Sequence, residues 1–183
     1  MVPTLVTTLG VKGFRPVVGT RDCKDQVYAF GALNYTTGQL TTRLMESAAA
    51  ERRRGKVSKT KRLQRTFALH LRDIARVYPA KVHAEVIVTI DNAPWHRGQE
   101  VQQVLADNPH LKLYRLPSYS PQLNVIERLW KVLRRRATHN RLFGTMAEMR
   151  RALRASFCYL QTLRHHVLSL IKSPRLRTTY VAA

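Results

Sequence analysis

Apolar positions along this chain change their spacing partway through. In the first fifty residues, FRPVVGT (14–20) and QVYAFGALNY (26–35) carry β-branched and aromatic side chains in short runs, split by the polar RDCKD. Runs of that kind predict strands, with RDCKD as a hairpin turn. TTGQL (36–40) predicts a second turn, because Gly38 supplies backbone freedom there, and LTTRLME (40–46) returns as a strand. Three antiparallel segments in succession predict a meander.

Helical spacing takes over after the basic stretch AAAERRRGKVSKTKRLQR (48–65). From Ser58 the residues Leu63, Phe67, Leu71, Ile74 and Val77 share one helical face, and Pro79 closes that helix. AEVIVTI (84–90) is a continuous apolar run, which predicts a central parallel strand buried on both faces. A second helix follows over RGQEVQQVLADNP (97–109), with Val101, Val104 and Leu105 inward, then a strand and loop over LKLYRLP (111–117). A long basic helix begins near Asn124. Another runs over TMAEMRRALRASFCYLQTL (145–163), with Thr145 and Glu148 spaced as a capping box. After Ser173 the tail is basic and unpatterned, and no internal repeat is present.

The order is meander, helix, strand, helix, strand, helix, helix. That is a mixed α/β pattern with an antiparallel start and a parallel end, and it fits an RNase H-like sheet. Neither G-x-x-x-x-G-K-[ST] nor G-x-G-x-x-G occurs, so both common phosphate-binding loops are excluded.

Charge narrows the function. The 183 residues include 32 Lys and Arg against 11 Asp and Glu, a formal net charge of +21. Such an excess repels itself in a compact chain and is neutralised by a polyanion, with nucleic acid the first candidate. A membrane surface is the weaker one, since no apolar run approaches the ~18 residues needed to span. MVPTLVTTLGVKGF lacks the layout of a signal peptide. Cys23 and Cys158 lie far apart without C-x-x-C spacing, so neither a zinc site nor a disulfide framework is suggested. A cytoplasmic, nucleoid-associated location is expected. A solvated basic face, as on an architectural protein, is the bland alternative.

In so basic a chain each acid can be weighed singly. Asp91 follows VIVTI directly, at the end of a parallel strand where open α/β sheets bind ligands. An Asx-turn residue is its ordinary role, yet DNAPWH packs an Asn, a Pro, an aromatic and a His into the same exit loop. Glu127 has two ordinary roles: N3 partner of an Asn124 cap, or surface pair with Lys131. Neither accounts for the flanking Leu123, Ile126, Leu129 and Trp130, which dock this turn. Two such carboxylates suit a hard divalent cation, Mg²⁺ or Mn²⁺.

VTIDNAPWH and LPSYSPQLNVIERLWKVLRRR resemble the catalytic core of DDE transposases, in the mariner-like branch of bacterial insertion sequences. That branch shows an apolar strand ending in D-N-x-x-x-H, then L-P-x-Y-S-P-x-L-N-P-I-E-x-x-W opening a basic helix. Between Asp91 and Glu127 lie 35 residues, within its spacing. GVKGFRP and VYAFGALNYTTGQL resemble its second and third strands, so the likeness covers roughly residues 3 to 155. Val125 departs from the usual Pro, which forgoes only a preset backbone angle.

The resemblance implies an RNase H-like core over 1–155, with 156–183 a basic helix end and tail. It implies metal-dependent DNA strand cleavage and transfer, with Asp91 and Glu127 as catalytic, metal-binding acids around two Mg²⁺ or Mn²⁺ ions. Asn92, His96, Tyr119, Arg128, Lys131, Arg134, Arg135 and Arg136 would contact DNA. The first acid of such sites lies on a strand ahead of the segment resembling PTLVTTLGVKG. No acid occurs before Asp22, and Asp22 and Asp25 fall in the predicted turn. The chain is therefore expected to lack the first strand, its Asp and the DNA-reading region, and to be inactive alone. A non-catalytic DNA-binding remnant, joining or antagonising an intact transposase, is the rival. An upstream fragment or a second copy are the protein partners in view.

Overall fold

Period-two alternation in QVYAFGAL decides where this strand sits. A computed structural model describes residues 12, 17–19, 25–47, 57–118, 120 and 123–171. Strand β1 (Gln26–Leu33) pairs antiparallel with β2 (Leu40–Ser47), in register from Gln26 opposite Ser47 to Leu33 opposite Leu40. Tyr28, Phe30 and Ala32 face one apolar cluster, while Val27, Ala29 and Leu33 face another. The hairpin is thus buried on both faces. Its connection is an Asx turn: the Asn34 side-chain oxygen accepts from the amides of Thr36 and Thr37, both at 2.9 Å, and Gly38 takes φ 71°.

On the first face lies helix α1 (Lys59–Val77), capped where the Ser58 hydroxyl accepts from the Lys61 amide at 3.3 Å. Its stripe of Leu63, Phe67, Leu71 and Ile74 is buried, as its spacing predicts. Arg43 of β2 grips Asp73 of α1 through two bonds, 2.7 and 2.9 Å. Strand β3 (Val86–Ile90) pairs parallel with β4 (Leu111–Arg115), and α2 (Gln99–Asp107) makes the crossover. Val86, Val88 and Ile90 join the same cluster beside Val101 and Val104.

The second face is covered by α3 (Ile126–Ala137), α4 (Met146–Thr162) and α5 (Arg164–Ile171). Leu129, Leu133, Leu153, Phe157, Leu160 and Val167 make one buried cluster, so the described residues beyond 155 pack with the core. Thr145 caps α4 as its spacing predicts: its hydroxyl accepts from the Glu148 amide at 3.2 Å, and Glu148 accepts from the Gly144 amide at 2.9 Å. Among the described residues, no helix is long and apolar enough to cross a membrane.

Four expectations need correction. The described part of FRPVVGT, residues 17–19, carries no strand, and Val17 is exposed; the rest of that segment and most of RDCKD lie outside the described residues. The described meander is therefore a hairpin. Strand β3 is neither central nor buried on both faces among the described residues. It pairs only with β4, and Ile87 is 64% exposed because α3 to α5 lie over β1 and β2 instead. Asn124 is not the cap of α3: Val125 already has helical angles (φ −60°, ψ −24°), and no side chain caps that end. Helix α5 was not anticipated as a separate element. It begins after α4 ends at Leu163, where the backbone leaves helical angles (φ −103°, ψ 43°).

Candidate active site

Asp91 is the first residue beyond β3, and its loop is built around it. Its Oδ1 accepts from the Ala93 amide at 3.0 Å, an Asx turn that bends the chain into the 3₁₀ turn Pro94–His96. That turn brings His96 back. His96 Nδ1 lies 3.0 Å from Asp91 Oδ1 and 3.2 Å from the Asp91 carbonyl oxygen. Both neighbours are acceptors, so Nδ1 carries the proton and donates. Asp91 Oδ2 has no hydrogen-bond partner among the described residues. The His96 side chain is only 12% exposed and stacks 4.3 Å from the Phe67 ring, whereas Asp91 is 54% exposed. Burial pushes the His96 imidazole below its ordinary range, partly opposed by its bonds to Asp91.

Two further bonds fix the loop. Asn92 Nδ2 donates to the Leu116 carbonyl at 2.8 Å, tying the exit of β3 to the exit of β4. Arg115, the last residue of β4, donates to the His96 carbonyl at 3.0 Å. A carboxylate on a surface loop is thus held by the sheet beneath it.

Glu127 enters the cleft beside this loop's strand from a different element. The first turn of α3 is docked by Ile126, Leu129 and Trp130 against β1, and the Glu127 amide donates to the Asn124 carbonyl at 3.1 Å. Its carboxylate forms no ion pair with Lys131 and no hydrogen bond among the described residues. Both ordinary roles considered for it are therefore unfilled. Glu127, Asp91 and Glu85 all line one cleft of about 770 Å³ between β1 and β3, Glu85 just before β3 and Asp91 just after it. Asp25, ahead of β1, does not line it, and Asp22 lies outside the described residues.

The sequence-predicted contacts divide by position. Lys131, Arg134 and Arg135 are exposed on α3. Arg136 is exposed but lies 3.5 Å over the Tyr159 ring. Arg128 turns to the end of α5 and donates to the carbonyls of Leu170 and Ile171 at 3.3 and 3.4 Å. Tyr119 lies outside the described residues. Asn92 and His96 brace the loop, Asn92 exposed and His96 half-buried.

Two residues, one on the cleft wall and one beside the Asp91 loop, went unnoticed in the sequence. His70 is 3% exposed and lines the cleft, and its ring nitrogens make no hydrogen bond of ordinary geometry although the Gly31 backbone lies near enough to act on the ring. Its signal was present, since His70 falls on the apolar stripe of α1 between Phe67 and Ile74. Arg115 is the second. A charged residue closes each parallel strand or follows it directly, so the logic applied to Asp91 reached Arg115 as well.

Hard carboxylate oxygens from Asp91 and Glu127 are the right donors for Mg²⁺ or Mn²⁺, which keep several waters and take one or two protein carboxylates. Among the described residues, no group of three or more His, Cys, Asp or Glu could hold a metal.

Comparisons with known proteins agree with this layout. A family model described as DDE superfamily endonuclease matches residues 6–150. An insertion element IS630 uncharacterized 39 kDa protein of Shigella sonnei is 32% identical over 101 residues, 55% of this chain and 29% of that protein. The Mos1 transposase, solved as a paired-end complex with the left transposon end, superposes with a TM-score of 0.53 at 14% identity, covering 93% of this chain and 52% of that one. The chain therefore spans under a third of the curated relative and about half of the solved one. At that identity the structural likeness speaks for the fold, which is the RNase H-like mixed α/β arrangement expected from the order of elements. With four-fifths of its length matched by one family, the chain belongs to the DDE superfamily of endonucleases; it is similar in sequence to a protein of insertion element IS630 and in fold to the Mos1 transposase.

Proposed function

We propose that this chain is the catalytic portion of a DNA transposase, in which Asp91 and Glu127 hold divalent metal for strand cleavage and transfer. The observation that carries this reading is the placement of both acids on one cleft, at a strand end and at a helix start with 35 residues between them. Mg²⁺ or Mn²⁺ bound there would polarise phosphate oxygens and activate the attacking water or 3′-hydroxyl. The residues of this chain do the rest. The Ala93 amide and His96 Nδ1–H orient the Asp91 carboxylate, leaving Oδ2 for the metal. Lys131, Arg134 and Arg135 on α3 lie on the helix that begins at the cleft and receive the DNA backbone.

Asp91 and Glu127 are two acids where a two-metal site of this type takes three, and Glu85, the other acid on the cleft, lies at the opposite end of β3. A further carboxylate from outside the described residues completes it, and without one the chain binds DNA but does not cut. That same count supports the second reading, a non-catalytic DNA-binding partner of an intact transposase.

Calorimetric titration of Mn²⁺ tests the site. Weak binding is expected, and it should fall further in Asp91→Asn and in Glu127→Gln. An isotherm unchanged by either substitution would remove the two-acid site. Nicking of supercoiled DNA then separates the two readings: Mn²⁺-dependent cleavage that Asp91→Asn abolishes supports the enzyme, and binding without cleavage supports the partner.

A further inference from the structure

Helix α1 has two faces of opposite character. Leu63, Phe67, Leu71 and Ile74 point into the core. At about 100° per residue, positions 65, 69, 72 and 76 fall together on the side turned away from it. Arg65, Arg72 and Arg76 hold three of those positions, and the fourth is Leu69, which is 42% exposed. The line runs ~16 Å along the helix axis. Each of its guanidiniums stays available to a ligand. Arg72 makes no ion pair among the described residues. Arg76 lies 3.7 Å from Asp73 and is 77% exposed, and that carboxylate already takes two bonds from Arg43. Arg65 lies 3.6 Å from Glu100 and is 56% exposed, whereas Lys61 holds the same Glu100 oxygen at 2.8 Å.

We propose that the outward face of α1 is a second duplex-binding surface, back to back with that of α3, so that a single chain holds two DNA duplexes at once. This rests on the reading of α3 as a DNA-receiving helix and adds a face to it. The hairpin separates the two helices, since α1 packs on the side of Tyr28 and Phe30 and α3 on the side of Val27 and Ala29. Two helices of ~10–12 Å diameter with a sheet between them set the outward faces roughly 30 Å apart. Duplex DNA is stiff over ~150 bp, so a short piece lying on one face cannot bend round to the other. The second face is therefore left for a second duplex. Charge decides the ligand's chemistry: each guanidinium offers a fork of N–H donors that matches phosphate oxygens. Leu69 is the one apolar side chain on the line, too little for a protein interface, whose centre is apolar and poor in charge. Contacts to phosphate position a duplex and carry no sequence information. Strand transfer joins one DNA to another, so a chain that holds two serves the proposed reaction.

Sedimentation velocity tests this with a chelator present, so that failure of the Asp91 and Glu127 metal site leaves the result untouched. The full chain at low salt is mixed with an excess of a duplex of about 16 bp, too short to bend between the faces. The saturated complex should hold one chain and two duplexes. Arg65→Gln, Arg72→Gln and Arg76→Gln together should bring it down to one chain and one duplex, with the melting temperature unchanged or raised. Lys at the same three positions should restore the second duplex, because Lys keeps a charge that binds phosphate. Lys131→Gln, Arg134→Gln and Arg135→Gln together should likewise leave one duplex, now held by α1. One duplex or none on the wild-type chain would overturn the proposal, and the triple variant that then abolishes binding would say which face is real. Two duplexes on the α1 variant would overturn it as well. So would a complex of two chains with two duplexes, which would make bridging the property of a dimer. Polyglutamate that displaces the second duplex as well as unlabelled DNA of equal charge does would assign the face to an acidic protein instead.

Discussion

A histidine buried among apolar side chains has a consequence that depends on pH. Burial pushes the His70 imidazole down to about 4 from 6.5, with the charge of Asp73 opposing only in part. Its folded pKa is thus below its unfolded one, so the folded state binds fewer protons in between. The stability tied to neutral His70 is fully present above pH 6.5 and is lost as pH falls toward 4. At pH 4.5 that loss amounts to about 2–3 kcal/mol, a large fraction of a domain's usual ~5–15 kcal/mol. Urea unfolding at pH 7 and pH 4.5 measures it. His96 is also shifted down by burial, so the wild-type slope contains both histidines. His70→Phe removes one of them and keeps a ring beside Phe30. The variant should lose less stability on acidification than the wild type by that amount. Equal losses in the two proteins would mean that His70 is solvated in the folded chain.

Between elements, the closest packing joins β1 to α3 at Gly31. A β-carbon there would stand 2.6 Å from Trp130 Cη2, on a ring that is itself held edge-on against Phe157 at 6.2 Å between centroids. Gly31→Val should therefore cost about 1–3 kcal/mol, the usual range for overpacking a filled core, read as a lower urea midpoint with unchanged slope. Since Trp130 and Ile126 flank Glu127 on α3, the same strain should displace that carboxylate and weaken Mn²⁺ binding. Elements of this kind were readable in sequence where periodicity is strong. The stripe Leu63, Phe67, Leu71, Ile74 marked α1, and Thr145 with Glu148 marked the start of α4, because spacing and capping are local properties. Burial of β3 was misread because an apolar run reports what a strand can bury, not what lies over it, and α3 to α5 cover β1 and β2. The start of α3 slipped by two residues because Asn124 has capping chemistry but Val125 has the helical backbone. Asp91 and Glu127 stood out in a chain with few acids, and the cleft that unites them did not, since it depends on how two separate sheets face each other.

At the scale of the whole molecule, one charge imbalance acts on stability and on binding with opposite sign. Several of the acids are already committed inside the fold: Asp73 to Arg43, Glu100 to Lys61, and Glu46 to Arg150. The surplus behind the net charge of +21 is left at the surface, where it repels itself. Added salt screens that repulsion, so the melting temperature of the free chain should rise between ~50 and 200 mM salt. Binding to duplex DNA should move the other way. A protein that neutralises six to ten phosphates loses ~10³–10⁵ in affinity over the same range, because each contact releases condensed counterions. Fluorescence anisotropy against duplexes of unrelated sequence gives the slope of log affinity against log salt, and little sequence preference is expected. Lys131, Arg134 and Arg135 decide whether α3 belongs to that surface or is only a solvated basic face. Replacing all three by Gln should reduce the slope by about three if each meets a phosphate, roughly one per contact. It should also raise the low-salt melting temperature, since three repelling charges are gone. A higher melting temperature with an unchanged DNA slope would show that α3 carries excess charge without touching DNA, and the backbone-binding face would then lie elsewhere on the molecule.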